Sequence, residues 1–340
     1  MSSFNPNSCM GARARTSKEG NRRMTQNGGI VGIDISKRKA DACIRASGAS
    51  LSKPSTPAGR AELIGWLREH GVGLAVMEAS GGYERDWAEA LREAGFEVSI
   101  VDPKRVRYFA RSMGCLSKSD PIDAAMIAWY AEIVAARARK QTHDADRERL
   151  DRLMTARAML KRLQTQVEQL AEHHQPPAVV KVQQALAKTI KAQLAKLEAT
   201  IATQVQANKT FAERDGIIQS VPGIGPTFAA AAIAWLPELG HITNKEIAAL
   251  VGTAPYVDDS GEHKGERHIK GGRREIRDLL YMVALGAATK HNPVLKAHYQ
   301  QLLARGKEKK VALVACMRKL IVILNTMLAR GQKWTPPALA

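Results

Sequence analysis

A chain of 340 residues with 45% apolar content can build two ordinary domains and a connector around buried cores, which excludes a disordered protein. Its 51 lysines and arginines against 33 aspartates and glutamates give a formal charge of +18 and a pI near 9.9, so the surface attracts polyanions, nucleic acid first among them. Cys9, Cys43, Cys115 and Cys316 form no Cys-x-x-Cys pair and have no histidine at ligand spacing, which speaks against a disulfide framework or a zinc site and fits a reducing cytoplasm.

Residues 1–28 are rich in Ser, Asn, Gly and Arg, lack the apolar centre of a secretion signal and read as a disordered tail. No later run approaches the ~20 apolar residues of a membrane span, so the expectation is a soluble intracellular protein without a membrane partner. Residues 30–36 and 40–46 then read as two adjacent strands, and 51–53 begins a third. An amphipathic helix over 58–70, a buried strand over 74–77, a helix over 84–94 stopped by Gly95 and a strand over 97–101 complete an α/β layer pattern. After Asp102-Pro103 a basic helix with Lys104, Arg105, Arg107 and Arg111 gives way at Gly114 to a polar loop. A helix over 120–135 closes this domain, residues 29–143.

Residues 144–208 are charged, Ala- and Gln-rich and free of glycine, which favours long helices. Leu153, Leu160, Leu163, Val167 and Leu170 recur as in a coiled-coil seam. Pro176-Pro177 must break that helix, and a second seam runs through Val182, Leu186, Ile190, Leu194, Leu197, Ile201 and Val205. An antiparallel hairpin or a dimerising coiled coil is expected over 144–212. Residues 213–335 read as a mainly helical domain ending in an apolar helix over 311–328. From Ser260 onward 16 basic residues face 5 acidic ones, so this domain is expected to be the main reader of backbone phosphates.

Four carboxylates are the candidates for the chemistry. Asp34 ends the first strand and Glu78 a central one, positions that cost desolvation unless a cation meets them. Asp120 and Asp123, with Pro121 between them in a first helical turn, project from one face. If that helix packs beside the first and fourth strands, the four can hold two Mg²⁺ (or Mn²⁺) ions ~3.5–4 Å apart, the arrangement of nuclease and strand-transfer chemistry. Taken singly, Asp120 is equally a helix N-cap, and Asp34 or Glu78 a turn or ion-pair residue. Their order on first strand, fourth strand and last helix resembles that of RuvC-like members of the ribonuclease H fold.

In the C-terminal domain Val221-Pro222-Gly223-Ile224-Gly225-Pro226 fits two readings. One is a helix-hairpin-helix element whose Gly223 and Gly225 amides approach a phosphate, the other a plain tight turn. A glycine-dotted, cation-rich loop over 258–273 follows. In it Ser260 has Lys264, Arg267, Lys270 and Arg273 within reach, a field that would stabilise a serine alkoxide attacking phosphorus and bind nucleic acid. By spacing alone Asp259-Ser260-Gly261 is a turn.

Five motifs in order carry a closer resemblance: Gly32-Ile33-Asp34, the segment from Glu78 to Tyr83, the segment from Lys118 to Ala124, Val221 to Pro226, and Ala254-Pro255 through Asp259-Ser260-Gly261 to Gly271-Gly272-Arg273. Over residues 30–334 the sequence resembles the insertion-sequence-110 family of DEDD transposases, which includes Piv-type DNA invertases and bridge-RNA-guided recombinases. The resemblance implies an acidic tetrad at Asp34, Glu78, Asp120 and Asp123 and a catalytic serine at Ser260, forming a covalent serine-DNA intermediate with metal assistance. It implies a RuvC-like domain, a coiled-coil dimerisation segment, and a tetramer with active sites assembled between protomers. It also implies donor and target DNA as substrates, a noncoding bridge RNA as partner, and a bacterial, nucleoid-associated cytoplasmic location. The alternatives are a Piv-type invertase, a RuvC-like nuclease with a basic DNA-binding C-terminal domain, and a basic architectural or RNA-binding protein without activity.

Overall fold

The computed structural model describes residues 28–115, 120–134, 144–173, 175–256, 259–260, 263–265 and 267–336, with backbone alone for 120–122, 259–260 and 263–264. The chain divides into two compact units, residues 1–142 and 143–340.

In the first unit β1 (Gly29–Ile35), β2 (Lys39–Ile44), β3 (Ser50–Pro54), β4 (Val72–Glu78) and β5 (Glu97–Val101) form one mixed sheet in the order β3-β2-β1-β4-β5. The first three strands are antiparallel neighbours, and β4 and β5 run parallel to β1. Parallel pairing needs crossovers, supplied by α1 (Pro57–Glu69) between β3 and β4 and α2 (Glu84–Glu93) between β4 and β5. Thr56 starts α1 by accepting from the Gly59 amide, with Pro57 in the first turn. Two further helices, α3 (Pro103–Ser112) and α4 (Asp120–Val134), complete the unit.

Alternation along the strands divides the apolar side chains between two cores. Val31, Ile33 and Ile35 meet Leu63 and Leu67 of α1 and Trp87 and Leu91 of α2. Val76, with Ile30 and Leu74 beside it, meets α3 at Val106 and Ala110 and α4 at Ile127 and Tyr130. At Gly32 the backbone of α4 comes close to the sheet. A Cβ there would lie 2.2 Å from the Ala124 carbonyl oxygen and 2.3 Å from the Ala128 nitrogen, so only glycine lets the helix settle on β1. A mixed sheet covered by helices on both faces is consistent with a RuvC-like fold.

The second unit is helical: α5 (Ala145–Ala171), α6 (Pro177–Ala207), α7 (Lys209–Gln219), α8 (Pro226–Trp235), α9 (Asn244–Val251), α10 (Arg274–Gly286), a π-helical turn Ala287–His291, α11 (Pro293–Ala304) and α12 (Lys309–Arg330). As the paired prolines require, α5 and α6 form an antiparallel hairpin. Arg157 Nη2 meets Glu198 at 2.7 Å, and Asp146 near the start of α5 accepts from Asn208 beyond the end of α6 at 2.7 Å. The hairpin is less separate than its sequence implies. Leu150, Met154, Ile201 and Val205 belong to the same core as α8, α10 and α12, while Leu163, Leu170, Val182 and Leu186 nearer the tip stay exposed.

By length and mean hydropathy (1.9 over its most apolar window) α12 is long and apolar enough to cross a membrane, contrary to the expectation that no run reaches that size; half of that window is buried inside the unit. Leu313, Met317, Leu320 and Leu324 lie in the core, and the buried Asn325 accepts from the Gly240 amide at 2.8 Å and donates to the Ile242 carbonyl at 2.8 Å.

Where a cation-rich loop is expected, the backbone makes two short antiparallel ladders. β6 (Pro255–Tyr256) pairs with β9 (His268–Ile269), and β7 (Asp259–Ser260) with β8 (His263–Lys264). Strands of two residues without apolar alternation leave no pattern to read.

Candidate active site

Ile33 of β1 lies opposite Met77 of β4, so the next residue on each strand, Asp34 and Glu78, ends its strand at one level. Both share the parity of Ile30, Leu74 and Val76, which pack with α3 and α4, so both carboxylates leave the sheet on the α4 face. Asp123 sits in the first turn of α4 beside Ala124, the residue whose carbonyl rests on Gly32, two positions before Asp34. The backbone therefore gathers these three residues at one end of one face. Asp120 opens the same helix one turn earlier, and its side chain lies outside the described residues.

Asp34, Glu78 and Asp123 each have an interaction partner, and among the described residues no three His, Cys, Asp or Glu side chains stand close enough to hold an ion as they are placed. The donor chemistry nonetheless suits Mg²⁺ or Mn²⁺: carboxylate oxygens on elements fixed by packing.

Sequence reading passes over a further acid, Asp41, which lies directly opposite Asp34 on β2 and shares its face. Its carboxylate pairs with Lys39 Nζ at 2.9 Å. The available signal was a lone carboxylate between buried Ala40 and Ala42.

The turn after Glu78 is held from below. Glu84, 7% exposed, accepts through Oε2 from the Ser80 amide at 2.9 Å, the Ser80 hydroxyl at 3.0 Å and the Gly82 amide at 2.8 Å. Burial alone would raise the Glu84 carboxyl, but these donors and its own backbone outweigh it and hold the group below the ordinary carboxylate value.

In the second unit Ser260 lies on β7, opposite His263 of β8, with Asp259 opposite Lys264; of these four side chains nothing is described, and Gly261 lies outside the described residues. The ladders rise from a point where two backbones touch: a Cβ on Gly252 would lie 2.3 Å from the Gly271 carbonyl oxygen, and one on Gly272 2.3 Å from the Gly252 nitrogen. Arg267 and Lys270 are exposed. Arg273, expected at a phosphate, also makes contacts within the fold. Its guanidinium forks onto Glu238 at 2.7 and 2.8 Å and donates to the Trp235 carbonyl at 2.6 Å.

The segment from Val221 to Pro226 joins α7 to α8. Gly223, at φ +94°, packs on Ala287 and His291 of the π-helical turn, while exposed Gly225 caps α8 with no side chain satisfying its first amides.

Residues 31–175 match the family of IS110 DEDD transposases, and residues 215–300 match that described as the transposase IS116/IS110/IS902 family. The chain belongs to the IS110 transposase family. Membership brings the family's activity class, DNA cleavage and recombination, with DNA as substrate. Among curated relatives of this transposase, the pilin gene-inverting protein of Moraxella bovis is 25% identical over 89% of this chain and 96% of its own length. The corresponding protein of Moraxella lacunata is 24% identical over the same shares. An uncharacterized 44.8 kDa protein of insertion element IS116 from Streptomyces clavuligerus is 31% identical, over 36% of this chain and 31% of its own.

Proposed function

We propose that this transposase cuts and rejoins DNA through a serine-DNA intermediate, with Ser260 as nucleophile and Asp34, Glu78, Asp120 and Asp123 as ligands of divalent metal. The seating of α4 on Gly32 carries this reading, because it turns carboxylates 89 positions apart toward one end of one face. Ser260 Oγ attacks phosphorus, its bond to phosphorus forming as a phosphorus-deoxyribose oxygen bond breaks. The proton Ser260 gives up ends on the departing sugar hydroxyl, and the reverse reaction with another strand's hydroxyl rejoins the DNA. Bound Mg²⁺ or Mn²⁺ would screen the charge that builds on the phosphate and lower the pKa of the attacking group. To accept it, the side chains of Asp34, Glu78 and Asp123 exchange their present partners for the ion.

Lys264, Arg267 and Lys270, together with the α8 N-terminus at Gly223 and Gly225 acting as a helix-hairpin-helix turn, contact backbone phosphates. The exposed apolar residues near the tip of the α5–α6 hairpin fit pairing with a second copy as a coiled coil, and two such dimers would form the tetramer in which one protomer's carboxylates meet another's serine. A bridge RNA paired to donor and target would select sequence, leaving backbone and shape to the protein.

The deciding experiment incubates protein, element-end DNA and Mg²⁺, then denatures. A protein-DNA adduct that resists denaturant and yields to protease is expected, and both Ser260→Ala and Asp34→Ala abolish it while retaining DNA binding. Recombination persisting in Ser260→Ala would remove the serine mechanism. A second reading, inversion rather than transposition, is favoured by the nearly full-length match to the pilin gene-inverting proteins. A plasmid reporter separates the two by its product, an inverted segment or an excised circle.

A further inference from the structure

The outer face of α3 sets a tyrosine among cations, and nothing in the chemistry above uses it. Val106 and Ala110 turn one side of α3 into the core, so Lys104, Arg105, Tyr108 and Arg111, related by steps of three, four and seven, share the opposite side. The Tyr108 residue is 66% exposed, and α3 contains no acidic residue. None of the three cations has a carboxylate partner among the described residues. A solvated charged face needs no aromatic ring in its middle.

A second tyrosine stands on a neighbouring segment. Tyr83, 50% exposed, ends the turn that Glu84 pins. The Ala79 amide donates to the Val101 carbonyl at 3.0 Å, so this turn and the entry to α3 leave adjacent strands side by side. They do so at the edge of the sheet where Asp34 and Glu78 end.

We propose that this edge binds an unpaired stretch of the DNA strand to be cut, with bases stacked on Tyr108 and Tyr83 and phosphates held by Lys104, Arg105 and Arg111. A duplex hides the faces of its bases whereas an unpaired strand offers them, so rings beside cations select the opened strand without reading its sequence. DNA is the occupant because the edge borders the carboxylates assigned to DNA chemistry, and the inference rests on that assignment. The stacked bases keep the strand open beside the phosphate that reacts, which makes Tyr83 and Tyr108 positioning residues.

The test uses the full-length protein and a mixed-sequence DNA oligonucleotide containing 2-aminopurine. Wild type quenches the fluorescence on binding. Tyr108→Ala and Tyr83→Ala each weaken single-strand binding about tenfold and lose the quench, while the phenylalanine variants keep both and duplex affinity does not change. Arg105→Gln or Arg111→Gln instead flattens the salt dependence by about 0.7 for each phosphate no longer neutralised. Alanine variants that bind like wild type overturn the proposal. So does an equal loss for duplex and single strand, or a loss confined to an RNA oligonucleotide of the same sequence. Binding is read without cutting: its failure in a protein that still shows Asp34-dependent cleavage sinks this inference alone.

Discussion

Replacing Gly32 with alanine should separate the carboxylates without touching one of them. The added Cβ would meet the Ala124 carbonyl oxygen at 2.2 Å, the Ala128 nitrogen at 2.3 Å and the Ala128 Cα at 3.0 Å, where ordinary contact begins at 3.4 Å. All three atoms are helix backbone, so no side chain can rotate away, and α4 must retreat by about 1 Å at a cost of ~1–3 kcal/mol of overpacking. That retreat moves Asp123 away from Asp34 and Glu78. Misplacement of about 1 Å costs a reaction on the order of 100-fold, so catalysis should suffer far more than folding. Metal-dependent nicking of a plasmid carrying the element ends, beside thermal unfolding and DNA binding, measures each effect. Gly29→Ala, on the same strand, supplies the control, because a Cβ there has its closest neighbour at 3.6 Å. A Gly32→Ala protein that melts and cuts like wild type would refute the seating of α4 as the device that positions the site.

Three further outcomes are expected. Glu84→Gln should lower stability at neutral pH by ~1–3 kcal/mol, since an amide accepts the three donors less well than a carboxylate. Because the folded Glu84 carboxyl sits below its ordinary value of 4.5, its contribution is complete above that value and lost as pH falls through the folded one; the two melting curves should converge on acidification, and a gap that persists would contradict the assignment. Asn325→Leu leaves the Gly240 amide and Ile242 carbonyl without that partner and should cost ~1–3 kcal/mol, read as a drop of ~2–4 °C in melting temperature per kcal/mol. Cys316, whose thiol burial pushes up to about 11 with Lys319 only partly offsetting it, should escape iodoacetamide at pH 8 until the protein unfolds; prompt labelling of the native protein would show that α12 is not packed as described.

Much of the first unit was legible because its strands are short apolar runs punctuated by Gly, Pro and Asp, and its helices begin and end on ordinary signals. Which strands become neighbours was not legible. Asp34 and Glu78 end neighbouring strands only because β1 pairs with β4, and no local pattern encodes that pairing. The same limit explains Asp41, a lone acid until β2 folds back against β1. It explains Arg273 as well: Lys264, Arg267, Lys270 and Arg273 look alike in sequence, and the carboxylate that claims one of them is Glu238, 35 positions earlier. Periodicity likewise showed which face of α6 is apolar but not what covers it. Leu194, Ile201 and Val205 are buried in the unit while Val182 and Leu186 on the same seam are not.

Arg273 also has a consequence for the serine. Two connections fix the feet of the ladders that carry Ser260: the contact between Gly252 and Gly272, and Arg273, whose amide donates to the Leu250 carbonyl at 2.9 Å while its guanidinium grips Glu238 and the end of α8. Burial alone would raise the Glu238 carboxyl, but the Arg273 guanidinium, with the backbone and Arg147, outweighs it and holds the group below its ordinary value, so Glu238 stays ionised at neutral pH. A cation that bound phosphate would, when removed, weaken DNA binding and reduce the slope of log affinity against log salt by about 1. A cation that seats the ladders would leave the slope unchanged and reduce adduct formation at Ser260, the nucleophile proposed above. Arg273→Ala is therefore expected to bind DNA with wild-type salt dependence and to recombine poorly. Arg273→Lys should rescue little, because one ammonium cannot reproduce the fork onto Glu238 together with the bond to Trp235. A slope reduced by about 1 in Arg273→Ala would return the residue to the phosphate-contacting set and leave the serine's placement to the glycines alone.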